Sequence, residues 1–240
     1  MSGIPKLIHF CWFGKRPKPE YVTDHIATWK RLMPDYKIIE WTERNFDINA
    51  NPYVRQAYQV QKYAFVSDYA RLYALYHFGG IYFDTDVEVL RPFDDLLAYD
   101  VLFGFEVHEF VATSTILARK HSILIRDFLS SYDHRAFVNP DGSLDLTTNV
   151  RILTDMLTPV GLIRVNERQH LVYKDQEHVT IIEKKYLSPY DYNTKLCHAD
   201  SGTYAIHHFR SSWSTPFFRL RVKIKKMLMA FSRFSVKQKY

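Results

Sequence analysis

Large apolar residues crowd into positions 6–13 with the length and alternation of a buried strand. Pro17 and Pro19 then interrupt the chain, and 21–32 repeats apolar residues at helical spacing until Pro34. A second short strand is predicted over 36–41. Pro52 suits the first turn of a helix, and Phe65, Tyr69, Leu72 and Tyr76 keep the 3.6-residue period. One long helix is therefore predicted from 52 to about 78, closed by Gly79-Gly80, since glycine tolerates the left-handed conformation at a helix end. Residues 81–83 form a short strand that runs into Asp84-Thr85-Asp86, with 87–90 as its continuation.

The first 90 residues thus alternate strand, helix, strand, helix, strand. Such alternation predicts an α/β fold with a parallel sheet and covering helices, and it places ligands at the carboxyl ends of the strands. The second half is more mixed. Strands are expected over 101–105, 111–117, 162–165, 179–182 and 204–209, and helices over 122–132 and 148–157.

Composition changes this picture little. Of 240 residues, 47% are hydrophobic and 24% charged, which suits one sizeable α/β core over 1–215 with a short appendage over 216–240. Two cysteines are too few for a disulfide framework, and Cys11, inside an apolar run, reads as a buried small hydrophobe. The opening residues carry no basic-then-apolar leader, and no apolar run approaches the roughly 20 residues of a spanning helix. A cytosolic chain with reduced thiols is expected.

Charge is more informative. The formal net charge is +6, yet 216–240 holds eight basic residues and no acid, leaving 24 basic against 26 acidic residues elsewhere. The basicity belongs to the tail. It is not a footprint spread over the fold, as a nucleic-acid binder would show, so no nucleic-acid partner is expected. Within 217–236, Phe217, Leu220, Ile224, Met227, Leu228 and Phe231 recur at helical spacing, with Arg219, Lys223, Lys226 and Arg233 largely opposite. That pattern fits an amphipathic helix lying against an anionic membrane surface, or one docked on the protein by the same apolar face.

Asp84 and Asp86 carry the candidate chemistry. Two hard carboxylates at a strand end can hold Mn²⁺ or Mg²⁺, with a diphosphate and waters completing the shell. Alone, Asp-x-Asp is a weak signal, but an apolar strand after a Gly-Gly break makes it specific. Asp68 and Arg71, three apart on the preceding helix, share a face and could be an ordinary surface pair. Their place one helix before the acidic pair favours a site role.

Together, Ser67-Asp68-x-x-Arg71 and Leu75-Tyr76-x-x-Gly79-Gly80-Ile81-Tyr82-x-Asp84-x-Asp86 resemble the sugar-binding signature of glycosyltransferase family thirty-two. That family includes yeast Golgi mannosyltransferases and bacterial capsule and lipopolysaccharide enzymes, and clostridial toxin glucosyltransferase domains carry a related pattern. The opening Ile4-Pro-Lys-Leu-Ile-His-Phe-Cys-Trp12 and the closing Tyr204-Ala-Ile-His-His-Phe-Arg-Ser-Ser-Trp213 resemble its first and last blocks, so the resemblance spans roughly 4–213. It implies a GT-A-type, Rossmann-like mixed and mainly parallel sheet, a nucleotide-sugar donor (a UDP-sugar favoured) and a glycan or lipid-linked acceptor in surface polysaccharide synthesis. It further implies that Asp84, Thr85 and Asp86 meet donor and metal, Asp86 most directly. Asp68 and Arg71 would contact sugar and phosphate, Trp12 or Phe10 the nucleobase, and Ser212 and Trp213 the diphosphate. One C-terminal histidine would complete the metal shell. Adjacent strand residues face opposite ways, so at most one of His207 and His208 reaches it, with His208 narrowly favoured. Transfer would retain anomeric configuration, and Asn149, at a helix start, would stand beside the reacting carbon or serve as an N-cap. A chain of this kind would work as a peripheral protein on the inner face of the cytoplasmic membrane.

Two other classes compete. Asp-x-Asp also serves metal-dependent phosphohydrolases and nucleotidyltransferases, but the sequence shows no Gly-rich phosphate loop and no third carboxylate clustered nearby. A non-catalytic binding module would not need Asp68, Arg71, Asp84 and Asp86 all intact.

Overall fold

The computed structural model describes residues 3–191, 194 and 196–210. The expected helix over 217–236, Ser212 and Trp213 lie outside the described residues. The elements run β1 (Leu7–Cys11), α1 (Glu20–Leu32), β2 (Lys37–Trp41), α2 (Pro52–Gln59), α3 (Tyr63–Phe78), β3 (Gly80–Phe83), β4 (Val87–Val89), β5 (Val101–Gly104) and β6 (Thr115–Ala118). Then follow α4 (Ile123–Ser130), α5 (Asn149–Leu157), β7 (Gln169–Tyr173), β8 (Glu177–Ile182), α6 (Lys184–Leu187) and β9 (Ala205–His207).

Seven strands form one sheet in the order β2-β1-β3-β6-β5-β8-β7. Strand β1 is parallel to both β2 and β3, and β5 is parallel to β8, while β6 runs against both of its neighbours and β7 against β8. Five strands therefore point one way and β6 and β7 the other, the expected mixed, mainly parallel sheet. Strand alternation sorts its apolar residues onto two faces. Cys11, Tyr82, Phe103, Ile116 and Ile181 join one core cluster with residues of α2 to α5. Ile8, Phe10, Ile81, Phe83, Leu102 and Leu117 join another with Trp29 of α1. Both faces are covered, which is why the strands read as near-continuous apolar runs.

The predicted helix over 52–78 is two helices. Asn51 caps α2 by accepting from the Tyr53 N–H at 2.8 Å, with Pro52 in the first turn. Gln61 then takes a left-handed conformation (φ 57°), and Lys62 N–H returns to Ala57 O at 2.8 Å. This is a glycine-type helix stop made with glutamine, so the sequence carried no signal for it. At the end of α3 the signal was explicit. Gly79 and Gly80 both have positive φ, and a Cβ on Gly80 would stand 2.6 Å from Leu7 O, so only glycine lets β3 pair so closely with β1.

Three strand expectations are corrected. Residues 162–165 are no strand; Ile163 is 63% exposed, and the Gln169 side chain hydrogen-bonds both the N–H and C=O of Ile163. The true strand is β7, an edge strand that buries only Leu171 and Tyr173 and so gave a faint pattern. Val87–Val89 does not prolong β3 but pairs with β9 in a separate two-stranded ribbon. Of the strand expected over 111–117, only its end enters β6, Val111 forming an isolated bridge to Phe105.

A fully buried carboxylate fixes α4. Glu177, on β8, accepts from Leu124 N–H (2.8 Å), Ile123 N–H (3.2 Å) and Ser122 Oγ (3.0 Å) at the helix N-terminus, where negative charge is favoured. Arg119 Nε donates at 3.3 Å to Oε1, the oxygen that Ile123 N–H also reaches. Cys11 is buried, and that burial pushes its thiol up to about 12, so it behaves as the expected small hydrophobe.

Candidate active site

The acidic pair leaves β3 in a tight turn. Asp84 N–H donates to Ser114 O at 2.8 Å, and Val87 N–H returns to Asp84 O at 3.0 Å, so both carboxylates sit above the carboxyl end of β3. Asp84 Oδ1 accepts from Tyr82 Oη (2.9 Å) and from Arg71 Nη2 (3.1 Å). The same Nη2 reaches Asp68 Oδ1 at 2.8 Å, Nη1 donates to Thr113 O at 2.6 Å, and the guanidinium lies 4.5 Å from the Tyr82 ring centre. Arg71 is only 5% exposed. The Asp68–Arg71 pair is therefore no surface pair: it lies beneath Asp84 and ties α3 to β3.

Strand pairing brings in the histidine. Val87 faces His207 across the ribbon, which sets the His207 ring beside Asp86, Nε2 to Oδ1 3.5 Å. Asp84, Asp86 and His207 each offer one ligand atom within 4.8 Å of the others. The narrow preference for His208 is corrected here. His208 points the other way, as strand alternation requires, and its Nε2 meets Glu88 Oε2 at 2.9 Å.

The electrostatics of this cluster leave room for a cation. Burial raises the Asp84 carboxyl against the pull of Arg71, and it pushes Asp68 up to about 6 and Glu106 up to about 7. Burial alone would lower His207, but the charges of Asp86, Glu106 and Asp84 outweigh it and carry the ring up to about 9. The rise at His207 shows that its acidic neighbours favour a positive charge at this point. His207 Nδ1 is buried with no hydrogen-bond partner among the described residues. Two carboxylates and one imidazole form a donor set that a Mn²⁺- or Mg²⁺-sized ion fits, and its charge would take the place of the proton on His207.

The other expected residues divide. Trp12 continues from the carboxyl end of β1, half-buried, its indole N–H donating to Arg16 O at 2.7 Å. Phe10, on the same side of the sheet as Trp12, packs edge-on against Trp29 (5.6 Å) and is a core residue. Thr85 is half-buried, and its carbonyl accepts from His25 Nδ1 at 3.1 Å. Asn149 is almost fully buried with its amide committed: Nδ2 donates to Asp68 O at 2.8 Å and Oδ1 accepts from Tyr132 Oη. The N-cap of α5 is Thr148, whose side chain accepts from Arg151 N–H. Asn149 thus holds the Asp68 backbone and is neither the cap nor a free group in the site. Sequence reasoning passed over Tyr82, Thr113 and Glu106. Tyr82 was visible as an inward position of β3, but Glu106 stands alone in its segment and gave no spacing to read.

A family described as a glycosyltransferase sugar-binding region containing a DXD motif matches residues 19–103, which include Asp68, Arg71, Asp84 and Asp86. The match covers about a third of the chain and takes in the acidic pair and its buried arginine but not His207. It is 29% identical over 157 residues to an inositol phosphoceramide mannosyltransferase of Schizosaccharomyces pombe, covering 57% of this chain and 46% of that one. Against the mannosyl phosphorylinositol ceramide synthase SUR1 of Saccharomyces cerevisiae it is 34% identical over 107 residues, 40% of this chain and 26% of the relative. It thus spans less than half the length of these curated relatives. Among solved structures, the PaToxG glycosyltransferase superposes with a TM-score of 0.50 over 66% of this chain and 69% of its own, at 20% identity. That likeness extends the shared GT-A-type fold beyond the DXD segment.

Proposed function

We propose that this protein is a DXD glycosyltransferase that moves a hexose from a nucleotide-sugar donor to a glycolipid or glycan acceptor with retention of configuration. The observation that carries the reading is the convergence of Asp84, Asp86 and His207 above the buried Arg71. A bound divalent cation would neutralise the charge that develops on a departing diphosphate. Asp86 and His207 would hold it, with Asp84 fixed in place by Tyr82 and Arg71. Asp68, held through its backbone by Asn149 and through its carboxylate by Arg71, would meet the donor sugar. Trp12, beyond the end of β1, would lie against the base.

The relatives, named as an inositol phosphoceramide mannosyltransferase and a mannosyl phosphorylinositol ceramide synthase, favour mannose as the hexose and a phosphoinositol-ceramide-like headgroup as the acceptor class. A UDP-sugar and a surface polysaccharide remain the competing donor and product. A polar acceptor on a lipid fits a chain held on the inner face of a membrane by 217–236. Melting the protein with UDP- and GDP-sugars, with and without Mn²⁺, separates the donors, because a ligand at 100 times its Kd adds about 2.7 kcal/mol of stability. One nucleotide sugar should raise Tm only when Mn²⁺ is present, and Asp86→Asn should keep the fold but lose that increment. EDTA-insensitive turnover would overturn the metal role, and cleavage of simple phosphoesters in place of the nucleotide sugar would favour a phosphohydrolase.

A further inference from the structure

A second cluster of ligand-bearing side chains lies behind the DXD turn. His25 of α1, Glu88 of β4 and His208 after β9 each present one ligand atom within 4.8 Å of the others. Neither the sugar-transfer reading nor the motif resemblance uses His25 or Glu88. His25 is buried, and its Nδ1 faces the Thr85 carbonyl at 3.1 Å. A carbonyl only accepts, so Nδ1 carries the proton and Nε2 carries the lone pair. Metal-binding histidines are oriented in this way, one ring nitrogen donating to a backbone carbonyl while the other ligates.

We propose that His25, Glu88 and His208 form a second, structural cation site that takes Zn²⁺ or a similar borderline metal. Two imidazoles and one carboxylate suit zinc better than the hard, oxygen-seeking ions of the DXD turn. In the metal-free state His208 Nε2–H donates to Glu88 Oε2 at 2.9 Å. Binding the cation moves the ring proton of His208 from Nε2 to Nδ1, and bonds from the ion to the freed Nε2 lone pair and to Oε2 replace the hydrogen bond. The two imidazole planes lie 5° apart with centres separated by 5.0 Å. Closing on one ion at about 2.0–2.2 Å therefore requires a rotation of the His208 ring, since His25 is fixed by Thr85. His208 is the more exposed of the two and has the freedom to turn, its side chain being 26% accessible.

The site would clamp α1 to the ribbon that carries the DXD cluster. Glu88 lies between Val87 and Val89 on the strand that faces β9, and His208 N–H donates to Asp86 O at 3.0 Å. One ion on the far side of the ribbon would fix the backbone from which Asp86 and His207 project on the near side.

The proposal does not depend on sugar transfer, and its test is run where the DXD cluster is disabled. Full-length Asp86→Asn protein, stripped with chelator and dialysed against micromolar Zn²⁺, should retain one zinc per chain and melt higher than its metal-free form. Adding His25→Gln or Glu88→Gln to that background should weaken zinc binding at least tenfold and remove the rise in Tm. Glu88→Gln is half-buried and leaves the strand pairing untouched, so it keeps the test decisive if His25→Gln fails to fold. Substitution with Co²⁺ should give the strong visible absorption of a four-coordinate ion in the Asp86→Asn chain and lose it in the Glu88→Gln double variant. Unchanged zinc retention in the double variants, or no zinc in the Asp86→Asn chain, would overturn the second site. Neither result would touch the DXD assignment.

Discussion

Arg71 reaches from the middle of α3 to Asp84 at the end of β3, Nη2 to Oδ1 3.1 Å, and so joins the helix before the Gly-Gly break to the turn after it. The same nitrogen serves Asp68 at 2.8 Å. One buried cation thereby balances two half-buried carboxylates, which changes what substitutions here should do.

Arg71→Ala leaves the half-buried Asp68 and Asp84 without their counter-charge and removes a buried side chain, at a cost of about 3 kcal/mol. Melting temperature and turnover should therefore fall together. Asp68→Asn keeps the shape and an acceptor oxygen for Arg71, so its Tm should stay near wild type while turnover drops about 100-fold, the scale of a misplaced reactant. Thermal melts paired with steady-state rates separate the two. An Arg71→Ala protein that melts like wild type would contradict the buried bridge.

Glu177→Gln tests the helix cap at α4. Both carboxylate oxygens accept from the Ser122, Ile123, Leu124 and Arg119 donors, so an amide NH₂ on either side faces hydrogens with hydrogens. A loss of about 3 kcal/mol or more is expected, the scale for breaking a buried charged pair. Urea unfolding should show a lower midpoint at unchanged slope, with no selective effect on cation binding at the DXD turn.

Acid stability should report His9. Trp41 Nε1–H donates to His9 Nδ1 at 3.2 Å, which leaves the proton on Nε2 for Gly79 O at 2.8 Å. Burial lowers the ring to about 4. The unfolded chain binds this proton near pH 6.5 and the folded chain does not until about pH 4, so the native state loses stability as pH falls through that window. The contribution is about 3 kcal/mol between pH 7 and 4, at about 1.4 kcal/mol per pH unit. His9→Gln, which keeps a donor for Gly79 O, should flatten that part of the profile. An unchanged slope would remove His9 as its source.

Membrane attachment rests on sequence alone and is tested separately. Full-length protein should sediment with vesicles of anionic lipid at low salt, and a chain ending at Thr215 should not. Basic residues near such a surface contribute about 1 kcal/mol each, so raising salt should release the longer chain. Equal sedimentation of both, or of neither, removes the attachment and leaves the catalytic reading intact.

The local sequence determined much of this molecule. Gly79-Gly80 specified the reversal from α3 into β3, because only glycine meets positive φ and the close approach of Leu7. Strand alternation in the first half specified both apolar faces, and the spacing of Asp84 and Asp86 specified a cation-sized acidic turn. Alternation also dictated that His207 and His208 diverge, but not which of them meets Asp86. That was decided by the register of β4 on β9, a pairing between segments far apart in the chain, which local periodicity cannot encode. The same holds for Arg71, whose i,i+3 spacing from Asp68 fits a solvated pair as well as a buried bridge until α3 packs against β3. Glu177 and Glu106 gave no local signal, because a buried carboxylate is stable only by virtue of partners that the fold brings from elsewhere.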